Sequence, residues 1–304
     1  MKLTILGSSS ALPTSERYTS AHVLNAHERM YLIDCGEGTQ MQLRRNRIKI
    51  SAINHIFISH LHGDHVFGIY GLLSTFNLMG RKQPLNLYAP GDYKNILLSH
   101  LKDFDINLNY EISFVPLSGN DPIEILDDKY LTVTSFPLKH RVPTFGFLFK
   151  EKAQYRKILK EAIDSYHIPI QAIQKIKNGS DFVTEKGEVI KNDKITSAPP
   201  KPLSFAYCSD TKYFKRIISF VKNVDLLYHE ATFDDSLKKL ALATCHSTSI
   251  QAATVAKEAG AGQLLIGHFS ARYKDVSHLV EEAMTVFPYT TAAEDGKTYE
   301  VQTS

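Results

Sequence analysis

Three histidines and an aspartate crowd the stretch Ser59-His60-Leu61-His62-Gly63-Asp64-His65, directly after the apolar run Ile56-Phe57-Ile58. Imidazole nitrogens and a carboxylate suit a zinc-like divalent cation, and these four donors are too many for one catalytic ion that must keep a position open. Two ions use them better. In an extended segment alternate side chains share a face, so His60 and His62 converge on one ion. Asp64 and His65, where the chain turns into the next helix, face the other. The competing reading is a surface histidine cluster or a set of caps for a helix over 66–78, but a cap needs one Asp or Ser and has no use for three histidines.

A two-ion site needs further ligands, and the chain offers them at the ends of later strand-like runs. His140 closes the run 131–140, Asp210 follows 203–209, and His268 follows Leu264-Leu-Ile-Gly. Each is a donor residue just past an apolar strand, where open α/β sheets place functional groups. Around these points short apolar strands alternate with amphipathic helices, an α/β pattern. Strands are expected at 2–6, 22–25, 31–34, 55–58, 85–88, 112–117 and 226–229. Helices are expected at 39–46, 66–78, 93–102, 249–259 and 276–286. Thr248 and Gln251 have the spacing of a capping box that starts one helix, Gly260 is placed to end it, and Pro288 disfavours helical geometry at Phe287.

The chain has 304 residues, 43% of them hydrophobic, enough to fill one core plus an insertion, so a single domain over 1–304 is expected. No run reaches membrane-spanning length, and a soluble, cytoplasmic protein with no membrane partner follows. Cys35, Cys208 and Cys245 are odd in number and lack Cys-x-x-Cys spacing, which argues against a disulfide framework or a thiolate metal site and for partly buried packing. The stretch 150–201 breaks the alternation. It has a helix-like piece at 155–166 and no donor at a strand end. Its 11 Lys and Arg against 7 Asp and Glu give 11 − 7 = +4, whereas the whole chain is +3, which leaves the remainder near −1. His22, His27, His55, His100, His167 and His278 lack the strand-end position and are read as surface or packing residues.

The pattern His-x-His-x-Asp-His resembles the signature of the metallo-β-lactamase superfamily. Leu6-Gly7-Ser8, Asp34-Cys-Gly36-Glu-Gly38-Thr39-Gln40, His229-Glu230-Ala231-Thr232, His246-Ser247-Thr248-Ser249 and Gly267-His268-Phe269-Ser270-Ala-Arg272-Tyr273 narrow the resemblance to the short form of the ribonuclease Z family, tRNA 3′-processing endoribonucleases. That resemblance implies a four-layer αββα sandwich and two Zn2+ per subunit, one held by His60, His62 and His140, the other by Asp64, His65 and His268, with Asp210 bridging. Manganese and iron(II) accept the same donors. It implies precursor tRNA as substrate, a homodimer, and an inserted tRNA-binding arm over 150–201, whose lysines would act by displacing counterions from phosphates. Asp64 is the expected proton acceptor, because a carboxylate beside an activated water can orient it and take its proton. His246 is the expected proton donor to the departing ribose 3′-oxygen, supported by Glu230; His229 is expected to be structural or to orient a ligand. Arg44, Arg45, Arg47 and Lys49 form a basic cluster that would either meet acceptor-stem phosphates or simply be solvated.

Two places depart from the family. Its loop Pro-x-Lys-x-Arg-Asn reads Pro13-Thr14-Ser15-Glu16-Arg17-Tyr18, so the family's treatment of tRNA ending in CCA does not carry over. The arm has no Gly-Pro step. Two other readings stand beside the nuclease: a hydrolase of the same superfamily acting on small phosphodiesters, sulfate esters or lactones, and a non-catalytic nucleic-acid-binding member. The first has no need of a basic insertion, and the second would be expected to have lost ligands.

Overall fold

The computed structural model describes residues 1–303. Two compact units emerge, one made of Met1–Lys150 with Leu203–Ser304, the other of Glu151–Pro202.

The first unit contains two seven-stranded mixed sheets. In sheet one the spatial order is Thr298–Glu300, Lys2–Gly7, Ala21–Ala26, Arg29–Ile33, Ile53–Phe57, Leu85–Pro90 and Ile112–Leu117. In sheet two it is Thr290–Ala292, Gln263–Gly267, Leu226–Glu230, Ser204–Cys208, Phe145–Glu151, Leu131–Pro137 and Ile123–Asp127. Side-chain alternation explains the layering. Along Arg29–Ile33, Tyr31 and Ile33 enter one apolar cluster and Leu32 another; along Ser204–Cys208, Phe205 and Tyr207 enter the first and Ala206 and Cys208 a third. The shared cluster, with Leu3, Leu24, Phe57, Phe147 and Phe149, lies between the sheets. The other two lie on the outer faces: Ile69, Leu72, Leu73 and Phe76 of helix Gly68–Leu78 cover sheet one, and Ala252, Ala253, Val255 and Ala256 of helix Ser249–Ala259 cover sheet two. Helix, sheet, sheet, helix is the αββα arrangement. Burying both faces of each sheet is why the strands read as near-continuous apolar runs.

The helix expected over 66–78 is divided into Gly63–Val66 and Gly68–Leu78. Its backbone leaves the helical ladder at Gly68, whose N–H donates to Cys35 O at 2.8 Å. A Cβ at Gly68 would meet Gly36 O at 2.0 Å, so this close approach of two backbones needs glycine. Helix Ser249–Ala259 has the expected bounds, with the Thr248–Gln251 capping box formed and Gly260 left-handed at φ 66°. Strands Ile123–Asp127, Phe145–Glu151, Thr290–Ala292 and Thr298–Glu300 were not expected from the pattern.

The second unit packs Ile158, Ala162, Ile168, Ile176, Phe182, Ile190 and Ile195 into its own small core. The helix expected over 155–166 starts only at Lys160, because Lys157–Ile158 pairs antiparallel with Thr196–Ser197 and Ile158 is buried there. Helix Ile170–Lys177 and a hairpin of Phe182–Val183 with Val189–Ile190 complete it. Asn192 ties these pieces together, donating through Nδ2 to Ile176 O at 2.8 Å and Ser180 O at 2.7 Å. Among the described residues no helix is long and apolar enough to cross a membrane.

Candidate metal centre

The four donors of the first cluster lie at the C-terminal end of strand Ile53–Phe57 in sheet one, whereas His140, Asp210 and His268 follow strands of sheet two. The structure brings all seven together in two groups, His60, His62, His140 and Asp210 in one and Asp64, His65 and His268 in the other. In the first, His62 Nδ1 is 3.1 Å from His60 Nε2 and 3.3 Å from His140 Nε2. Asp210 Oδ2 is 3.5 Å from His60 Nε2 and 3.7 Å from His140 Nε2. In the second, His65 Nε2 is 3.2 Å from His268 Nε2, and Asp64 Oδ2 is 3.4 Å from each. Asp210 Oδ1 approaches the same pair at 3.4 and 3.2 Å.

These spacings test the fit of a cation. Donors at about 2.0–2.1 Å from one tetrahedral ion stand about 3.3–3.4 Å apart, so both groups have the edge lengths of a coordination tetrahedron. Asp210 contributes one oxygen to each. Its Oδ1 is buried without a hydrogen-bond partner, an arrangement that is costly unless a cation accepts the lone pair.

The far sides of the rings fix their tautomers. His140 Nδ1 donates to Cys245 O at 2.9 Å, and His65 Nδ1 to Asp34 Oδ2 at 2.8 Å. Ser59 Oγ donates to Asp34 Oδ2 and is therefore free to accept from His60 Nδ1 at 3.0 Å. Thr232 Oγ1 donates to Glu230 Oε2 and so accepts from His268 Nδ1 at 3.0 Å. In each of these four rings the proton sits on Nδ1 and Nε2 offers its lone pair inward. Burial holds His60, His62 and His140 below the ordinary imidazole range, which keeps them as lone-pair donors. At His65 burial acts the same way, but Asp64, Asp210 and Asp34 outweigh it and drive the pKa well up: the field there favours positive charge. Asp34 and His268 both have left-handed backbones, φ 56° and 59°, which turn the chain sharply at their strand ends.

His246 lies beside the donors, its ring 5.1 Å from His140 and 5.5 Å from His268. Its Nδ1 donates to Glu230 Oε1 at 3.0 Å. Burial disfavours its protonated form, yet the Glu230 carboxylate raises it to about 9. Glu230 is itself fully buried and held by the backbone N–H groups of Thr211, Thr232 and Ser247 at 2.9–3.0 Å. His229 Nδ1 donates to the carbonyl of Glu230 at 2.7 Å, and its Nε2 is buried with no hydrogen-bond partner among the described residues. Of the donors, His62, Asp64, His140, Asp210 and His268 line a cavity of ≈ 310 Å³, together with His246, Ser10, Arg141, Phe233, Thr244 and Ser270. Sequence reasoning gave no role to Ser59, Thr232 or Arg141, although the first two stand inside the quoted motifs, because a hydroxyl or a guanidinium takes its task from neighbours in space. Cys35 and Cys208 are buried, and Cys245 is partly so.

A family model described as "Anti-Pycsar protein Apyc1" matches residues 1–168, the stretch with His60 to His65 and His140 but without Asp210, Glu230, His246 or His268. Full-length likeness covers those too. A curated ribonuclease Z of Bacteroides fragilis is 47% identical, with 97% of each chain covered. The crystal structure of human tRNase Z, short form, matches with TM-score 0.72 and 28% identity over 99% of this chain and 100% of that one. The metallo-β-lactamase fold protein YhfI of Bacillus subtilis matches with TM-score 0.69 and 20% identity over 98% of each, a likeness of fold. The αββα sandwich, the paired donor sets at its sheet ends and a near-full-length relative at this identity agree: the chain belongs to the ribonuclease Z family of the metallo-β-lactamase fold.

Proposed function

We propose that this enzyme is a divalent-metal-dependent endoribonuclease that removes 3′ extensions from precursor tRNA and leaves a 3′-hydroxyl on the tRNA. The observation that carries the reading is Asp210, one buried carboxylate with an oxygen in each of two tetrahedral donor sets. Zinc is the proposed metal at both, held by His60, His62, His140 and Asp210 and by Asp64, His65, His268 and Asp210. Bound there, the cations would supply Lewis acidity to the phosphodiester and make water ionisable near neutral pH.

The chain's own groups supply the rest. Asp64 lines the cavity and takes the proton of the attacking water. His246, kept protonated by Glu230, gives its Nε2 proton to the departing 3′-oxygen, which is a poor leaving group without it. Glu230 acts through His246 and stays ionised while five donors hold it in place.

The unit Glu151–Pro202 is the proposed tRNA-binding arm. Its exposed Lys157, Lys160, Lys175, Lys186 and Lys194 suit phosphate contacts whose strength falls with salt. Two copies of the chain and a cytoplasmic setting belong to the same proposal, and light scattering on the purified protein checks the first. The central experiment incubates the protein with a 3′-extended precursor tRNA, with and without chelator, and maps the cut. A cut after the discriminator nucleotide that chelation abolishes supports the reading. Intact precursor beside hydrolysis of a small diester would overturn it.

A further inference from the structure

Arg141 lines the same cavity as the donors, yet the mechanism above leaves it idle. It follows His140 directly, and the His140 bond to Cys245 O pins this backbone to the segment that leads into His246. Most other arginines are spent. Arg29, Arg156 and Arg216 pair with Asp128, Asp193 and Asp121, while Arg81 donates to Gln83 O, Ile53 O, Asn54 Oδ1 and Pro84 O. Arg141 is exposed and makes one long hydrogen bond, Nη2 to Ala243 O at 3.4 Å. Among the described residues no carboxylate is paired with it, although Asp64 and Asp210 line the same cavity. A guanidinium with most of its donors open, at the mouth of a site that acts on a polyanion, is suited to a second phosphate.

We propose that Arg141 is a positioning residue that grips the phosphate on the 5′ side of the discriminator nucleotide, one unit from the bond that breaks. The inference rests on the ribonuclease reading of this cavity and adds the side on which the RNA continues. His246 protonates the 3′-oxygen of the discriminator ribose, so that ribose sits on the His246 side. Arg141 hydrogen-bonds to Ala243, three residues before His246, and the next phosphate beyond that ribose is the 5′ one. A small diester has no such phosphate.

The test uses metal-loaded wild type, Arg141→Gln and Arg141→Lys on a precursor tRNA and on bis(p-nitrophenyl) phosphate. A second precursor carries a neutral methylphosphonate at the proposed phosphate. Arg141→Gln should lower kcat/KM on the precursor about tenfold, the size of one charged hydrogen bond, mainly through KM, with Arg141→Lys recovering part. Its loss on the small diester should be clearly smaller, and its salt dependence shallower by about one phosphate contact. The neutral linkage should cost the wild type about as much as the substitution does, and cost Arg141→Gln little. Equal losses on both substrates, or an undiminished methylphosphonate penalty in Arg141→Gln, would overturn the assignment while the ribonuclease reading stands. A wild type that hydrolyses the small diester and leaves the precursor intact would remove both.

Discussion

At the scale of single residues, His246 and His55 show how environment decides what an imidazole does. His246 is held by Glu230, and its proposed task matters only when the leaving group needs a proton. His246→Gln should therefore slow precursor tRNA cleavage by about 10²–10⁴-fold and spare bis(p-nitrophenyl) phosphate, whose leaving group departs unprotonated; comparable losses on both would remove the acid role. His55 has the opposite character. It lies among Tyr31, Phe57 and Tyr88, with Nδ1 3.2 Å from Tyr88 Oη, and burial lowers its pKa to about 4. The unfolded chain takes up this proton near 6.5, so the folded state loses stability as pH falls from about 6.5 to about 4 and gains nothing back below. His55→Gln should shrink the difference between urea midpoints at pH 7 and pH 4. The convergence of these seven side chains was legible in the sequence because four are crowded into His60–His65 and the other three each follow an apolar strand. Ser59, Thr232 and the Cys245 carbonyl were not, since hydroxyls and carbonyls become orienting groups only when a fold delivers a ring nitrogen to them.

Elements were legible where one local rule governed them. Helix Ser249–Ala259 kept its expected bounds because its capping box and its left-handed glycine are both encoded within a few residues. The helix after His65 divides at Gly68, because its N–H is claimed by Cys35, a residue far back in the chain. Strand Phe145–Glu151 escaped notice for a similar reason: it is defined by pairing with Ser204–Cys208 across the insertion. The same close packing yields a prediction at Gly36. A Cβ there would stand 2.4 Å from Asp64 O and 2.4 Å from Thr19 Oγ1, so Gly36→Ala must displace the turn that bears Asp64 and His65. Elemental analysis should find less metal per chain in a protein whose circular dichroism is unchanged; full metal content would show that the turn absorbs the methyl.

For the whole molecule, the role proposed for the insertion predicts a separation of substrate recognition from chemistry. Lys150 and Ser204 are register partners on neighbouring antiparallel strands, so a short turn can replace 152–194 without stretching the sheet. The shortened protein should lose far more activity on precursor tRNA than on bis(p-nitrophenyl) phosphate; parallel losses would deny the arm its role in binding. A different consequence follows from how the donors are divided. Each set takes its members from both sheets, His60 and His62 meeting His140 and Asp210, Asp64 and His65 meeting His268 and Asp210. A cation seated there rivets one half of the sandwich to the other, and binding to the native state alone adds about 2.7 kcal/mol of stability when free metal is a hundredfold above its Kd. Chelation should lower the melting temperature as well as silence the enzyme, so that the durability of the protein becomes a gauge of metal supply.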